Sequence, residues 1–146
     1  MKLLSISPDD PFDDDEVTGE LYTLGGLVET PVTSVHEVTP IAEVRTLLAE
    51  LRVPAVVVID TARSLKGVIT RTDVLRAPRE CTAAEAMSRH LFSLPREATV
   101  ERAAALMAIE RVGEVVVTGD DGELVGLVSA FDIARHVAMR AGYIVA

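Results

Sequence analysis

Apolar residues along the chain follow two spacings, and the two halves of the sequence use them in the same order. Spacings of three and four place apolar residues on one face after Thr39, which predicts an amphipathic helix. That face consists of Ile41, Val44, Leu47, Leu48 and Leu51 in the first half, and of Val100, Ala103, Leu106 and Met107, with Glu110 at its edge, in the second. The continuous β-branched runs at residues 55–59 and 115–118 are typical of strands buried on both faces.

Shorter signals complete the same order of elements in each half. A short apolar run before each helix predicts a strand, a second apolar run after the β-branched segment predicts another, and a further helix follows. These predicted strands are residues 32–35, 65–69, 91–94 and 124–128, and the further helices begin near Thr72 and Phe131. Thr39 and Pro40 suit an N-cap and a first turn, and Thr82 with Glu85 matches a capping box.

The two halves are related by a tandem duplication. A shift of 59 positions overlays residues 23–76 on residues 82–135 without a gap. The shift keeps aliphatic residues in step, and it also pairs Gly67 with Gly126 and Asp73 with Asp132. Chance overlay of aliphatic segments would not align glycine and aspartate. We therefore expect a first repeat at residues 21–78 and a second at residues 79–142, after an acidic tail at residues 1–20 that is predicted to be disordered.

In each repeat, a hydroxyl residue and an aspartate three positions later lie where the last predicted strand meets the helix that follows it. These are Thr70 with Asp73, and Ser129 with Asp132. A helix N-terminus attracts anions such as phosphate, and a carboxylate one turn along suits the two adjacent hydroxyls of a ribose. The same pattern is also ordinary helix capping. The residues alone leave both interpretations open, and the duplication in register favours binding.

The chain resembles a tandem pair of CBS domains over about residues 20–140. The segments that carry the resemblance are TLGGLV, VTSV, TPIAEV and GVITRTDVL in the first repeat, and TAAEAM, LFSL, ATVERA and GLVSAFDIA in the second. The resemblance implies an α+β fold of two tandem β-α-β-β-α repeats packed about a pseudo-twofold axis. It also implies two clefts for adenosine-containing ligands, with AMP, ADP or ATP most favoured and S-adenosylmethionine possible. Similar proteins often carry proline where this chain has Val57 and Val116.

The resemblance also assigns ligand contacts to particular residues. It implies that Thr70 and Ser129 contact phosphate and that Asp73 and Asp132 hold the ribose diol. The adenine would lie against Val53, Pro54 and Ala55, and in the second repeat against Val112, Gly113 and Glu114, with residues 32–35 and 91–94 as walls. Arg71, next to Thr70, is positioned in sequence to pair with phosphate, and it could equally be an ordinary surface charge. We therefore expect the first repeat to bind a phosphorylated ligand and the second to bind weakly or stay empty.

Composition narrows the classes of partner. The formal charge is −9, of which residues 1–22 contribute −6, so a nucleic-acid backbone is not an expected partner. One cysteine, Cys81, excludes an internal disulfide, and no apolar run approaches about 18 residues. We expect a cytoplasmic protein without a membrane segment. His36, His90 and His136 lack metal-ligand spacing, and no nucleophile motif is present, so we expect neither a catalytic nor a metal site.

Two functions remain open at this point. In the first, the protein is a stand-alone regulatory module that signals in trans to a separately encoded target protein, and the resemblance implies a homodimer. In the second, the duplicated fold serves only dimerisation or protein docking, without a small-molecule ligand. The second interpretation predicts an exposed helical surface that includes Val74, Leu75, Ile133 and Val137.

Overall fold

The computed structural model describes residues 22–28 and 32–143. The predicted acidic tail at residues 1–20 lies outside the described residues. A short 3-10 helix at Leu24–Gly26 precedes the elements of the first repeat. These are β1 (Ser34–His36), α1 (Ile41–Leu51), β2 (Ala55–Ile59), β3 (Leu65–Thr70) and α2 (Arg71–Arg76). The second repeat contains α3 (Ala83–Ala86), β4 (Ser93–Pro95), α4 (Val100–Glu110), β5 (Glu114–Thr118), β6 (Leu124–Ser129) and α5 (Ala130–Arg140).

Each repeat builds one three-stranded sheet with the same topology. The strand orders are β1-β2-β3 and β4-β5-β6, in which the first pair is parallel and the second pair is antiparallel. The registers also match: Ala55 pairs with Thr70, and Glu114 pairs with Ser129 at the positions 59 residues further on. The predicted fold class, two tandem β-α-β-β-α repeats, is confirmed.

The segment that leads into each repeat packs on the other repeat. Leu24 is fully buried in the core of the second repeat, and Ala83 is fully buried in the core of the first. The backbone N–H of Leu24 donates to the carbonyl of Ala98 at 2.9 Å, and that of Ala83 donates to the carbonyl of Thr39 at 2.8 Å. The two bonds are equivalent, because the donors Leu24 and Ala83 are 59 residues apart, and so are the acceptors Thr39 and Ala98. The repeats are therefore related by an approximate twofold axis.

The two sheets also pack against each other. In β2, Val56 and Val58 enter the core beneath the helices of the first repeat, whereas Val57 faces the other way. There Val57 joins Val68 and Val116 in a core shared by both sheets. Alternate residues of β2 are thus buried on opposite faces, which confirms the interpretation of its β-branched run.

Several local predictions need correction. Strands β1 and β4 begin two residues later than predicted. The N-cap of α1 is Pro40, and the hydroxyl of Thr39 instead accepts a hydrogen bond from the backbone N–H of His36 at 3.1 Å. The predicted capping box of Thr82 and Glu85 is wrong, because Thr82 makes no side-chain cap hydrogen bond. The helix that it precedes is only four residues long.

The last helices of the two repeats differ in length for a local reason. Helix α2 ends at Arg76 after six residues, because Pro78 disfavours a helical conformation at Ala77, whose ψ is 143°. Helix α5 has no such proline and runs for 11 residues. The predicted exposed helical surface is half wrong: Val74 and Ile133 are buried, and Leu75 and Val137 are exposed.

Candidate functional site

Both hydroxyl–aspartate pairs form capping boxes at the start of the last helix of each repeat. The backbone N–H of Thr70 donates to Asp73 Oδ2 at 2.8 Å, and the backbone N–H of Asp73 donates to Thr70 Oγ1 at 3.2 Å. In the second repeat, Ser129 and Asp132 make the equivalent bonds at 2.8 and 3.1 Å. Capping and ligand binding do not exclude each other here. Among the described residues, no hydrogen bond engages Oδ1 of either carboxylate.

The hydroxyl groups of Thr70 and Ser129 differ in whether they donate a hydrogen bond. Thr70 Oγ1 donates to Asp73 Oδ2 at 3.0 Å, so its proton is already engaged. Ser129 makes no equivalent bond within the described part of the chain, although its side chain is almost fully buried. A phosphate oxygen would have to displace Asp73 to accept a hydrogen bond from Thr70. Other donors in the cleft would therefore have to bind a phosphate in place of the Thr70 hydroxyl.

The clefts combine residues from both repeats. Thr70 and Asp73 of the first repeat line one cleft together with Val112, Gly113 and Glu114 of the second. We call this the Asp73 cleft. Its volume is about 390 Å³, within the range of small-molecule sites. The remaining lining residues are Val68, Thr72, Arg76, Ser88, His90, Leu91, Phe92, Arg111, Val116 and Leu127.

The second cleft is built in the reciprocal way and is smaller. Ser129 and Asp132 line it together with Val53, Pro54 and Ala55, and we call it the Asp132 cleft. Its volume is about 130 Å³, below the usual range of ligand pockets. Leu27 also lines this cleft, at the position where the second repeat has the smaller Ala86. Residues 29–31, next to Leu27 in sequence, are outside the described residues.

The Asp73 cleft contains charges of both signs. Burial raises the pKa of Glu114, and the nearby carboxylate of Asp73 raises it further. Both carboxylates line the Asp73 cleft, one from each repeat. Two arginines, Arg76 and Arg111, line the same cleft, and neither takes part in the ion pairs found among the described residues. In the Asp132 cleft, Asp132 is the sole charged residue among the described lining residues.

The structure does not bring Arg71 to the Asp73 cleft. Its side chain lines a separate groove between α1 and α2, beside Arg45 and Arg52. Arg76 and Arg111 are the cations at the cleft, and neither of them adjoins Thr70 in the sequence as Arg71 does. Both are identical between the repeats, paired with Arg135 and Arg52 respectively, so the duplication carried a signal for them.

Within residues 22–28 and 32–143, no group of three or more histidine, cysteine, aspartate or glutamate side chains is arranged to hold a metal ion. Cys81 is buried in the core of the first repeat. None of the helices in these ranges is long and apolar enough to cross a membrane.

The fold and the reciprocal clefts agree with the comparison to known families. The model of the CBS domain matches residues 24–80 and again residues 83–139, which together make up most of the chain. The chain belongs to the CBS domain family and carries two CBS domains in tandem.

Solved structures with this arrangement are similar along most of their length. A CBS domain protein from Pyrobaculum aerophilum, solved in complex with AMP, is 26% identical with a TM-score of 0.73; the match covers 84% of this chain and 98% of that one. The CBS domain pair of the protein MJ0100, in complex with 5′-methylthioadenosine and S-adenosyl-L-methionine, is 22% identical with a TM-score of 0.75. That match covers 83% of this chain and 99% of the other.

A curated relative places the same repeats in a longer chain. An uncharacterised protein of Methanocaldococcus jannaschii is 25% identical over 109 residues, which are 70% of this chain. The match spans only 26% of that relative's length.

Proposed function

We propose that the protein is a regulatory module that binds an adenine nucleotide, AMP foremost, in the Asp73 cleft and signals its occupancy in trans to a separate target protein. One observation carries the proposal. A single cleft of about 390 Å³ collects a carboxylate with an unengaged oxygen, a second carboxylate at the opposite wall and two arginines without a described ion-pair partner. A nucleoside monophosphate offers a complementary group to each of them.

Each part of the ligand has a matching group in this cleft. The capping box holds Asp73 Oδ2 on the backbone N–H of Thr70, which leaves Oδ1 to accept from a ribose hydroxyl. The adenine ring would lie against Val112 and Gly113, where its exocyclic amine can donate to Glu114. Arg76 and Arg111 would neutralise the phosphate. The hydroxyl of Thr70 then orients Asp73 and is not required as a phosphate donor.

The relatives support an adenosine-containing ligand. The Pyrobaculum aerophilum protein was solved with AMP, and the MJ0100 domain pair with 5′-methylthioadenosine and S-adenosyl-L-methionine. These ligands share adenosine and differ in the group at the 5′ carbon. Because Arg76 and Arg111 line the Asp73 cleft, we assign it a phosphorylated member of this set. The Asp132 cleft, smaller and without a described cation, is expected to bind weakly or to stay empty.

The test is a ligand panel scored by thermal unfolding and by titration calorimetry. AMP, ADP, ATP, S-adenosylmethionine, NAD and cyclic dinucleotides are compared at equal concentration. A ligand at a hundred times its Kd should raise the Tm by about 5–10 °C through mass action. We expect AMP to bind with one site per chain. If no adenosine compound changes the Tm or releases heat, the proposal is wrong.

Exposed apolar side chains favour a second candidate function, dimerisation or protein docking without a ligand. Leu75 is 86% exposed, Phe131 is 71% exposed and Val137 is 59% exposed, all on the last helices of the repeats. Surface patches of this kind often mark an interface. This function predicts a homodimer in sedimentation that dissociates on Leu75→Asp or Val137→Asp, together with no response to any ligand in the panel.

A further inference from the structure

A groove on the outer face of the first repeat is lined by three arginines. It lies between α1 and α2 and has a volume of about 380 Å³. Leu48 and Val74 are buried beneath it, whereas Leu75 at its rim is largely exposed. The other lining residues are Arg45, Ala49, Arg52 and Arg71, and we call this the arginine groove.

The arginines of this groove have no acidic partner in the part of the chain that the structure describes. The ion pairs there join Lys66 to Asp60 and Arg140 to Glu101, each at 3.5 Å. Arg45, Arg52 and Arg71 are all exposed, and each lines the same concave surface. Three like charges in one groove repel each other, so an acidic partner would stabilise them more than it would stabilise isolated surface arginines.

The second repeat does not reproduce this arrangement. The positions that correspond to Arg45 and Arg71 are Ala104 and Ala130, and Arg111 lines the Asp73 cleft instead. In the corresponding region between α4 and α5, Arg140 is paired with Glu101 and lies 4.6 Å from the ring centroid of Tyr22. The three-arginine groove is therefore specific to the first repeat, which makes a general role in the fold an unsatisfactory explanation.

The complementary charge is in the sequence that precedes Tyr22. Residues 9–20, DDPFDDDEVTGE, contain seven carboxylates, no lysine or arginine, and two apolar residues, Phe12 and Val17. The described chain begins at Tyr22, which packs against His136 and Arg140 of α5. Phe12 is ten residues before Tyr22. An extended chain spans about 3.3–3.6 Å per residue, so ten residues reach about 33–36 Å, close to the diameter of a domain of this size. Residues near Phe12 can therefore reach the arginine groove of their own chain.

We propose that residues 9–20 bind the arginine groove of the same chain. Their carboxylates would pair with Arg45, Arg52 and Arg71, and Phe12 would cover the apolar floor beside Leu75. The groove and the acidic segment then neutralise each other, and an acidic segment of another protein would have to compete with the chain's own. This inference is independent of ligand binding in the Asp73 cleft.

Paramagnetic broadening tests the contact in the intact chain. A nitroxide is attached to Pro11→Cys in a Cys81→Ala background, which leaves all seven carboxylates in place. We expect loss of amide peak intensity at Ala49 and Leu75, which line the groove. The matched reference amides are Ala108 and Ala134, the equivalent positions of the second repeat, and their peaks should lose less intensity.

Charge reversal and mixing complete the test. Arg45→Glu with Arg71→Glu should abolish the extra broadening, as should salt at about 0.5 M, which shortens the screening length to a few ångströms. Both arginines are exposed, so the double variant should fold, and its amide spectrum reports this directly. Equal broadening at both pairs of amides, or broadening that survives charge reversal, overturns the proposal. In a mixing experiment, an isotope-labelled chain without nitroxide is combined with a nitroxide-labelled chain without isotope. Broadening of the isotope-labelled amides would assign the contact to a second copy and would also overturn the proposal.

Discussion

The Asp73 cleft and the Asp132 cleft contain the same hydroxyl–carboxylate pair but differ in volume and charge. The first measures about 390 Å³ and is lined by Arg76, Arg111 and Glu114, whereas the second measures about 130 Å³ and has no described cation. The equivalent backbone hydrogen bonds of the two capping boxes agree in length to within 0.1 Å: 2.8 and 3.2 Å in the first, 2.8 and 3.1 Å in the second. Part of the difference therefore comes from the opposite wall, where the other repeat supplies Arg111 and Glu114. The rest comes from Arg76, which is on the same helix as Asp73.

This comparison shows that one residue can acquire two roles after duplication. Arg52 and Arg111 are equivalent, and each ends its helix in the left-handed conformation, with φ of 53° and 54°. Arg52 lines the outer arginine groove, whereas Arg111 lines the Asp73 cleft. Equal local geometry did not give an equal environment, because the surrounding side chains differ between the repeats.

The largest loss of AMP affinity is expected when Asp73 is changed to asparagine. Asparagine keeps an acceptor oxygen for the N-cap N–H but loses the charge that would hold the ribose diol. A hydrogen bond to a charged group contributes about 1.5–3 kcal/mol, so Asp73→Asn should weaken AMP binding about 10- to 100-fold by calorimetry. Asp132→Asn alters the same kind of capping box and is the matched control. Equal losses of affinity in both variants would place the ligand elsewhere or in both clefts.

The sequence predicted the repeats well, because their elements depend on local periodicity. In the predicted stripe of α1, Ile41, Val44 and Leu48 are buried as expected, and the β-branched run of β2 is buried throughout. Leu47 is only half-buried, and Leu51, at the end of the helix, is exposed, so the stripe is shorter than predicted. The reciprocal composition of the clefts was not predicted. It depends on the packing of one sheet on the other and on the exchange of lead-in segments around Leu24 and Ala83, and neither has a local signature.

The orientation of individual side chains was also beyond the sequence. Arg71 adjoins Thr70, but successive helical residues point about 100° apart, so proximity in sequence placed it on the wrong face. The proton of Thr70 is engaged by Asp73, which the pattern alone did not reveal. Glu114 lines the same cleft as Asp73 of the other repeat, an arrangement that emerges only from the fold.

The second largest effect is expected at a pair of equivalent glycines. A Cβ on Gly67 would lie 2.7 Å from the carbonyl oxygen of Ser88, which is fixed by hydrogen bonds between the backbones of Val68 and Ser88. A Cβ on Gly126 would lie 2.7 Å from the Cβ of Val28, an atom that moves only together with its backbone. Gly67→Ala and Gly126→Ala should therefore each lower the free energy of unfolding in urea by about 1–3 kcal/mol.

The two glycine substitutions should also differ in their effect on AMP binding. Ser88 lines the Asp73 cleft, so Gly67→Ala should weaken AMP binding as well as stability, whereas Gly126→Ala should leave AMP binding close to that of the unaltered protein. If Gly126→Ala weakened AMP binding as much as Gly67→Ala, the loss would come from the fold as a whole rather than from the Asp73 cleft.

A smaller effect is expected at the arginines of the Asp73 cleft, because they are exposed to solvent. Arg76→Ala or Arg111→Ala should weaken AMP binding by about tenfold or less, since a solvated charge pair contributes about 1 kcal/mol. Binding of adenosine, which has no phosphate, should stay unchanged. The control is Arg135→Ala, which removes the equivalent of Arg76 in the second repeat. If adenosine and AMP lose affinity equally, the arginines act on the base or on the fold rather than on phosphate.

The smallest effect concerns the carboxyl group of Glu114, which has an uncharged counterpart, Ala55, in the other cleft. Burial and the neighbouring Asp73 raise its pKa, so the folded protein binds this proton more tightly than the unfolded chain does. The stability of the fold therefore decreases as the pH rises from the ordinary glutamate pKa through the raised value. Glu114→Gln should increase the Tm by about 1–2 °C near pH 7 and by less near pH 4, where the carboxyl is already largely protonated. An equal gain for Glu114→Gln at both pH values would mean that its effect comes from packing rather than from charge.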